Sequence, residues 1–262
     1  MELSYAQKQD LFEQGFVKIP AVVPRIMVEA ALRAINHSVG QGMNVDDMTT
    51  FRSQTYCPEI TGSEVITDLI HRTPVWSLAE SGVGGGTLRP VKGGQIALRF
   101  PSLQDPPALP RAHLDGMYSP HNGVPQGTIQ NFTMLVGIFL SDVAQPYSGN
   151  FTVWPGTHHQ YEAYFREHGP ESLLEGMPPI AMPEPEQLLA QAGDAVLCHY
   201  QLAHCAVQNV SPHVRYAVFF RLKREGHDEI KLECMTDIWR EWDGLREFVD
   251  RGFNPGLKHE TR

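Results

Sequence analysis

From Gln95 onward the apolar runs of this chain are strand-sized, the longest such as Met134 to Leu140, and loops rich in proline, glycine and serine separate them. Such a texture predicts short strands and not long helices. The candidates are Gln95–Phe100, Ile129–Leu140, Asn150–Val153, Ala195–His199 and Val214–Leu222. Before residue 95 the pattern is helical. Pro24 suits the first turn of a helix whose stripe is Val28, Leu32, Ile35 and Val39. A second helix is predicted from Thr61 or Ser63 to His71, ending before Pro74, with Val65, Ile66, Leu69 and Ile70 inward. Further helices are predicted over His159–His168 and Ile238–Asp250, the latter with Trp239, Trp242, Leu245 and Val249 near one face; residues 178–185 read as a loop. Helices first and many short strands afterwards predict an α+β, mainly β fold with a sandwich or barrel core.

With 262 residues, no internal repeat and no linker, the chain reads as one domain spanning 1–262. Its parts are a helical region of about 1–80, a β core of about 95–222 and a C-terminal helix of about 238–250. A net charge of −9 argues against a nucleic-acid partner. The N-terminus MELSYAQKQD lacks the basic and apolar regions of a secretion signal, and no run reaches membrane-spanning length. Cys57, Cys198, Cys205 and Cys234 include no CxxC pair, which excludes a zinc knuckle or thioredoxin-type motif and fits a reducing cytoplasm. Core packing accounts for Cys198 and Cys205. The glycine-rich stretch 82–94, GVGGGTLRPVKGG, contains neither GxGxxG nor GxxxxGK[ST], so it reads as a turn and not as a phosphate cradle.

The chemistry-bearing signal is His113-Leu114-Asp115. In extended chain, residues i and i+2 share a face, so the imidazole and the carboxylate would converge. Two histidines and one carboxylate form the facial triad of non-haem iron(II) oxygenases. Alone, the triplet is equally what a surface polar pair would give. A second histidine, His204, follows the apolar run Ala195–Cys198 and a short turn. Eleven residues later Arg215 opens an aromatic-rich strand, where alternation puts Arg215, Ala217 and Phe219 on one face. An arginine turned into a β core is costly unless it meets an anion, and its planar fork suits a carboxylate. An arginine at a strand end can also reach solvent.

Taken together, HxD, 88 intervening residues, His, ten intervening residues and Arg resemble the phytanoyl-CoA dioxygenase-like family of iron(II)/2-oxoglutarate oxygenases. So do FEQGFVKIPAVVP (12–24), FTMLVGIFLSDV (132–143), GNFTVWPGTHH (149–159) and GDAVLCHYQLAH (193–204). The resemblance covers most of the chain outside residues 40–95 and 160–190. It implies a double-stranded β-helix (jelly-roll, cupin-like) core with buttressing helices. It implies that His113, Asp115 and His204 bind Fe(II), and that Arg215 binds the distal carboxylate of 2-oxoglutarate. Gln95, Asn131 and, sharing a strand face with Asn131, Thr133 become cosubstrate contacts by the same match. His158, after Pro155-Gly156, corresponds to a turn-stabilising hydrogen-bonder. His121 and Tyr118 lie in the loop after HxD, where a substrate would be met. The implied reaction consumes O2, releases succinate and CO2, and hydroxylates a small or medium-sized metabolite; Asp115 favours this over halogenation, for which related enzymes lack the carboxylate. No basic cluster in the sequence near these residues points to coenzyme A. The competing readings are a cupin-like zinc or nickel hydrolase or isomerase, which needs no dicarboxylate anchor, and a non-catalytic small-molecule sensor.

Overall fold

In the computed structural model, which describes residues 1–252, Ser4 and Gln7 close a reciprocal cap over the first helix, α1 (Tyr5–Gln14). Gly15, at a φ of 84°, ends α1 and turns the chain into β1 (Phe16–Ile19). Pro24 stands just ahead of α2 (Arg25–Gly40), which buries Val28, Ala31 and Ile35 and half-buries Leu32 and Val39. There follow α3 (Met48–Ser53) and α4 (Glu64–His71), whose Ile66, Leu69 and Ile70 are inward as predicted. Pro74 does not merely end that helix. It opens another, α5 (Pro74–Val83), because its missing N–H and fixed φ suit a first helical turn.

The β elements are β2 (Gln95–Arg99), β3 (Met134–Phe139), β4 (Phe151–Val153), β5 (Glu186–Gln187), β6 (Ala195–His199), β7 (His204–Ala206) and β8 (Arg215–Leu222), with α6 (Thr157–His168) between β4 and β5. They form a five-stranded antiparallel sheet, β1-β6-β3-β8-β2, and a three-stranded one, β5-β4-β7. Alternation along β3 divides two cores. Met134, Val136 and Ile138 pack with β8 and with α2, α4 and α5, while Leu135 and Phe139 join Phe151, Val153, Cys198 and Phe219 between the sheets. The large sheet is therefore buried on both faces, which is why β3 and β6 read as unbroken apolar runs.

Two predicted elements are shorter than expected by more than one residue. The strand predicted from Ile129 begins only at Met134, because residues 129–133 are drawn towards the C-terminal segment: Lys231 donates to the Ile129 carbonyl and Asn131 donates to that of Lys231. The C-terminal segment contains α7 (His227–Ile230) and α8 (Glu233–Thr236), and the helix predicted over Ile238–Asp250 reduces to α9 (Arg246–Arg251). Between them tight i to i+3 turns seat Trp239 and Trp242, and Gly244 lies so close to α5 that a Cβ there would collide with the Ser81 carbonyl. No helix among the described residues is long and apolar enough to cross a membrane.

Candidate functional site

His113 and His204 come from segments 91 positions apart, and the backbone fastens them together: His113 N–H donates to the His204 carbonyl at 3.0 Å and the reverse bond is 3.2 Å. Their rings stand 4.5 Å apart between centroids. His204 opens β7, opposite Val153 of β4, and its preceding turn is held by Thr157, whose Oγ1 accepts from Ala203 N–H at 3.0 Å. The stretch 149–159 therefore braces the turn that presents His204. Leu114 is sunk between the sheets, which sends its two neighbours towards the cleft. Gly116 then turns the chain at a φ of 86°, where a Cβ would sit 2.6 Å from the Gln130 carbonyl oxygen.

Asp115 Oδ1 lies 3.5 Å from His113 Nε2 and 3.7 Å from His204 Nε2. The three potential ligand atoms all fall within 4.8 Å of one another. With metal–ligand bonds of about 2.1 Å, ligands at right angles stand about 3 Å apart, so small side-chain movements close this trio on a divalent ion. His204 Nδ1 meets the Leu202 carbonyl at 2.9 Å, which fixes the proton there and leaves the Nε2 lone pair facing inward. Burial and the neighbouring His113 hold the His204 pKa down at about 4, against the pull of Asp115, so the ring is neutral and able to ligate. Burial opposes the Asp115 charge, yet Arg221 above all, then His113 and His204, keep its carboxyl well below the usual carboxylate range. The donor set fits a 2-His-1-carboxylate metal.

The trio opens into a cleft of about 760 Å³, ample for a small ligand. Arg215, only 1% exposed, lines it. Its Nε donates to the Gly149 carbonyl at 2.7 Å and its Nη1 to that of Ala97 at 3.0 Å, while Nη2 is buried without a partner. Burial and then the adjacent Arg99 push its pKa down to about 9, which leaves it charged at neutral pH. Gln95 also lines the cleft, and its Oε1 accepts from Arg221 at 2.9 Å.

Asn131 and Thr133 do not reach the cleft. Neither stands on β3, and both are buried in a separate polar cluster. Asn131 Oδ1 meets His227 Nε2 at 3.2 Å, Thr133 Oγ1 donates to Glu241 at 2.8 Å, and His227 Nδ1 contacts the same carboxylate oxygen at 2.8 Å. Their side chains tie the C-terminal segment to the sheet. The expectation that they contact a cosubstrate is corrected on this ground. His158 likewise acts over a distance: its Nε2 and that of His159 meet the Phe12 carbonyl at 2.9 and 2.8 Å, near the open end of α1. Tyr118 lines the cleft, whereas His121 offers its carbonyl to Gln54.

The sequence reading missed Arg221, although it continues the alternation of Arg215, Ala217 and Phe219. It also found no basic cluster, and the fold assembles one. Arg52, Arg99, Arg215 and Arg221 line the cleft, and Asp115 is the only carboxylate among the lining residues.

No protein-family model matches the chain, and no curated protein matches it in sequence. Solved structures do match in fold. The carbocyclase SnoK from nogalamycin biosynthesis, described as non-heme and alpha ketoglutarate dependent, gives a TM-score of 0.54 at 19% identity over 84% of this chain and 83% of its own. This fold is shared with non-haem 2-oxoglutarate-dependent enzymes. The epimerase SnoN, from the same biosynthesis and described likewise, gives 0.56 at 17% over 84% and 80%. HygX from Streptomyces hygroscopicus, solved with nickel and 2-oxoglutarate bound, gives 0.53 at 17% over 85% and 87%.

Proposed function

We propose that this chain is a non-haem Fe(II)- and 2-oxoglutarate-dependent dioxygenase with a jelly-roll core, similar to the phytanoyl-CoA dioxygenase group, that hydroxylates a small or medium-sized metabolite. The observation that carries this reading is one cleft holding both the His113, Asp115 and His204 trio and the buried Arg215 with its unpartnered Nη2. A zinc or nickel hydrolase or isomerase would have no use for that second element. A buried cation with a free donor is expensive unless an anion meets it, and a dicarboxylate that reaches from metal to arginine meets it.

In this reading His113, Asp115 and His204 would hold the iron at the wall of the cleft. When bound, iron and 2-oxoglutarate supply O2 activation, in which the cosubstrate is oxidised to succinate and CO2 and one oxygen atom becomes the substrate's hydroxyl. Arg215 fixes the distal carboxylate, with its remaining N–H groups tied to Gly149 and Ala97 so that the fork does not turn. Arg221 holds Asp115, and Gln95 steadies Arg221 from the cleft side. Leu135, Phe151 and Phe219 give the cleft an apolar wall that limits water.

The test is anaerobic calorimetry of 2-oxoglutarate with the Fe(II)-loaded protein, followed by succinate release on adding O2, with Asp115→Ala alongside. We expect one cosubstrate bound per chain and slow succinate formation that Asp115→Ala abolishes. Wild-type protein that neither binds 2-oxoglutarate nor forms succinate would sink the assignment, as would an Asp115→Ala variant with undiminished turnover.

A further inference from the structure

The charge of the cleft does not balance on metal and cosubstrate alone. Four arginines face one carboxylate among the lining residues, an excess of three positive charges from these groups. A divalent metal raises that excess by two, and 2-oxoglutarate, a dianion, lowers it by the same amount. The cleft then still carries the three.

Two of the arginines have partners. Arg221 is bonded to Asp115, and Arg215 is matched to the cosubstrate in the reading above. The other two have no anionic partner among the described residues. Arg99, at the end of β2, reaches only the Leu98 carbonyl from Nη1 at 3.3 Å, and its Nε is buried without a partner. Arg52, on α3, forms no ion pair and no side-chain hydrogen bond among the described residues, and its side chain is exposed at the cleft. The two are neighbours electrostatically: after burial, Arg52 is the next cause that depresses the Arg99 pKa. Arg99 is also the direct cross-strand partner of Arg215. Two like charges beside a third, with a buried N–H unsatisfied, cost stability. An oxyanion placed between Arg52 and Arg99 would remove that cost, since guanidinium forks match carboxylate and phosphate alike.

We infer that the primary substrate is itself an anion, and that its carboxylate or phosphate group docks between Arg99 and Arg52, beside the anchor of the cosubstrate. This rests on the oxygenase reading, because it gives Arg215 to 2-oxoglutarate. A neutral substrate would leave both arginines unmatched, so they act as specificity determinants for charge.

The experiment uses the Ni(II)-loaded full chain, which does not turn over. 2-Oxoglutarate affinity is measured first by calorimetry. At saturating 2-oxoglutarate and constant ionic strength, the same protein is then titrated with inorganic phosphate and, separately, with acetate. We expect one further anion to bind, with the preferred probe separating a phosphate-bearing from a carboxylate-bearing substrate. Arg52→Gln and Arg99→Gln should each weaken the preferred probe roughly tenfold, a larger factor than their effect on 2-oxoglutarate. Arg99→Lys should recover part of the loss. Arg52 is exposed, so its variant carries the test even where Arg99→Gln fails to fold. Wild-type protein that binds 2-oxoglutarate and no second anion overturns this inference alone. So does an Arg99→Gln variant that loses more 2-oxoglutarate affinity than probe affinity, which would make Arg99 a cosubstrate anchor. Wild-type protein that binds no 2-oxoglutarate overturns the oxygenase reading, and this inference with it.

Discussion

Arg221 Nε donates to one oxygen of Asp115, Oδ2, at 3.0 Å, and Nη2 is ion-paired with the same oxygen at 2.9 Å, which leaves Oδ1 to the two histidines. The fork fixes which carboxylate oxygen faces the metal position. The guanidinium is itself held, by Gln95 Oε1 at 2.9 Å and by the Phe132 ring 5.7 Å away. Arg221→Gln should free the carboxylate to rotate and lower the affinity for Fe(II) or Ni(II) by roughly ten- to a hundredfold, the usual effect of losing a group that orients a ligand. Metal titration of the stripped protein measures this. Removing the cation also removes a repulsion towards the metal, so a rise in affinity would mean that charge and not orientation governs.

Arg215→Ala removes the free Nη2 and also two bonds to backbone carbonyls. We expect the KM for 2-oxoglutarate to rise by roughly thirtyfold or more, as when a buried charge partner is deleted, and stability to fall by about 1–3 kcal/mol. Arg215→Lys separates the two effects. It keeps the charge and loses the fork, so it should bind the cosubstrate better than alanine does and worse than the native side chain. An unchanged KM in the alanine variant would remove Arg215 from the site.

How much of this was legible in the sequence follows from range. The convergence of His113 and Asp115 needs only two-residue spacing, and the inward face of Arg215 needs only strand alternation. The boundaries of β6 were equally plain, since a strand buried on both faces is apolar throughout. Arg221 lies on the same alternation, but its partner is 106 residues away and no local pattern announces it. Asn131 was misplaced for the same reason: the apolar run from Ile129 reads as strand, and only bonds to the distant C-terminal segment pull it off the ladder. β1, β5 and β7 have four, two and three residues, too few for any periodicity to show. The basic cleft is the plainest case, because its arginines are scattered from position 52 to position 221.

Gly15 gives a test of the packing behind the site. Its φ is +84°, and a Cβ there would lie 2.6 Å from His158 Nδ1, while its carbonyl accepts from His199 N–H at 2.8 Å. Gly15→Ala should therefore cost the left-handed backbone penalty of about 1–2 kcal/mol and, in addition, displacement of the His158 ring. Gly86, at +72° with open space around it, supplies the control. Gly86→Ala should show the backbone part only. Urea unfolding of the two variants compares them, and equal losses would mean that the ring moves freely.

The buried histidines make folding sensitive to acid in a window of their own. His199 Nε2 meets the Ile238 carbonyl at 3.0 Å and its Nδ1 accepts from Gln201 N–H at 3.0 Å, so a second proton has no place on the ring. Burial holds its pKa down at about 3, and burial first, then His159 and His199, hold that of His158 well below the ordinary value. His159 and His204 are depressed to about 4, in each case mainly by burial. In the unfolded chain these rings titrate near 6.5. The folded state therefore binds fewer protons than the unfolded one below that pH, and stability is full above it and falls as pH drops towards 4. Each ring contributes up to about 1.4 kcal/mol per pH unit. Ordinary carboxylates titrate in the unfolded chain near 4, so between pH 6.5 and 5 the slope belongs chiefly to histidine. Urea unfolding of metal-free protein at pH 7.5, 6.5, 5.8 and 5, followed by fluorescence of Trp239 and Trp242 against which His199 packs, reads it directly. A flat stability from pH 7.5 to 5 would mean that these rings accept protons in the folded state. His199→Gln, which lacks the titrating group, should lower the slope by one ring's share.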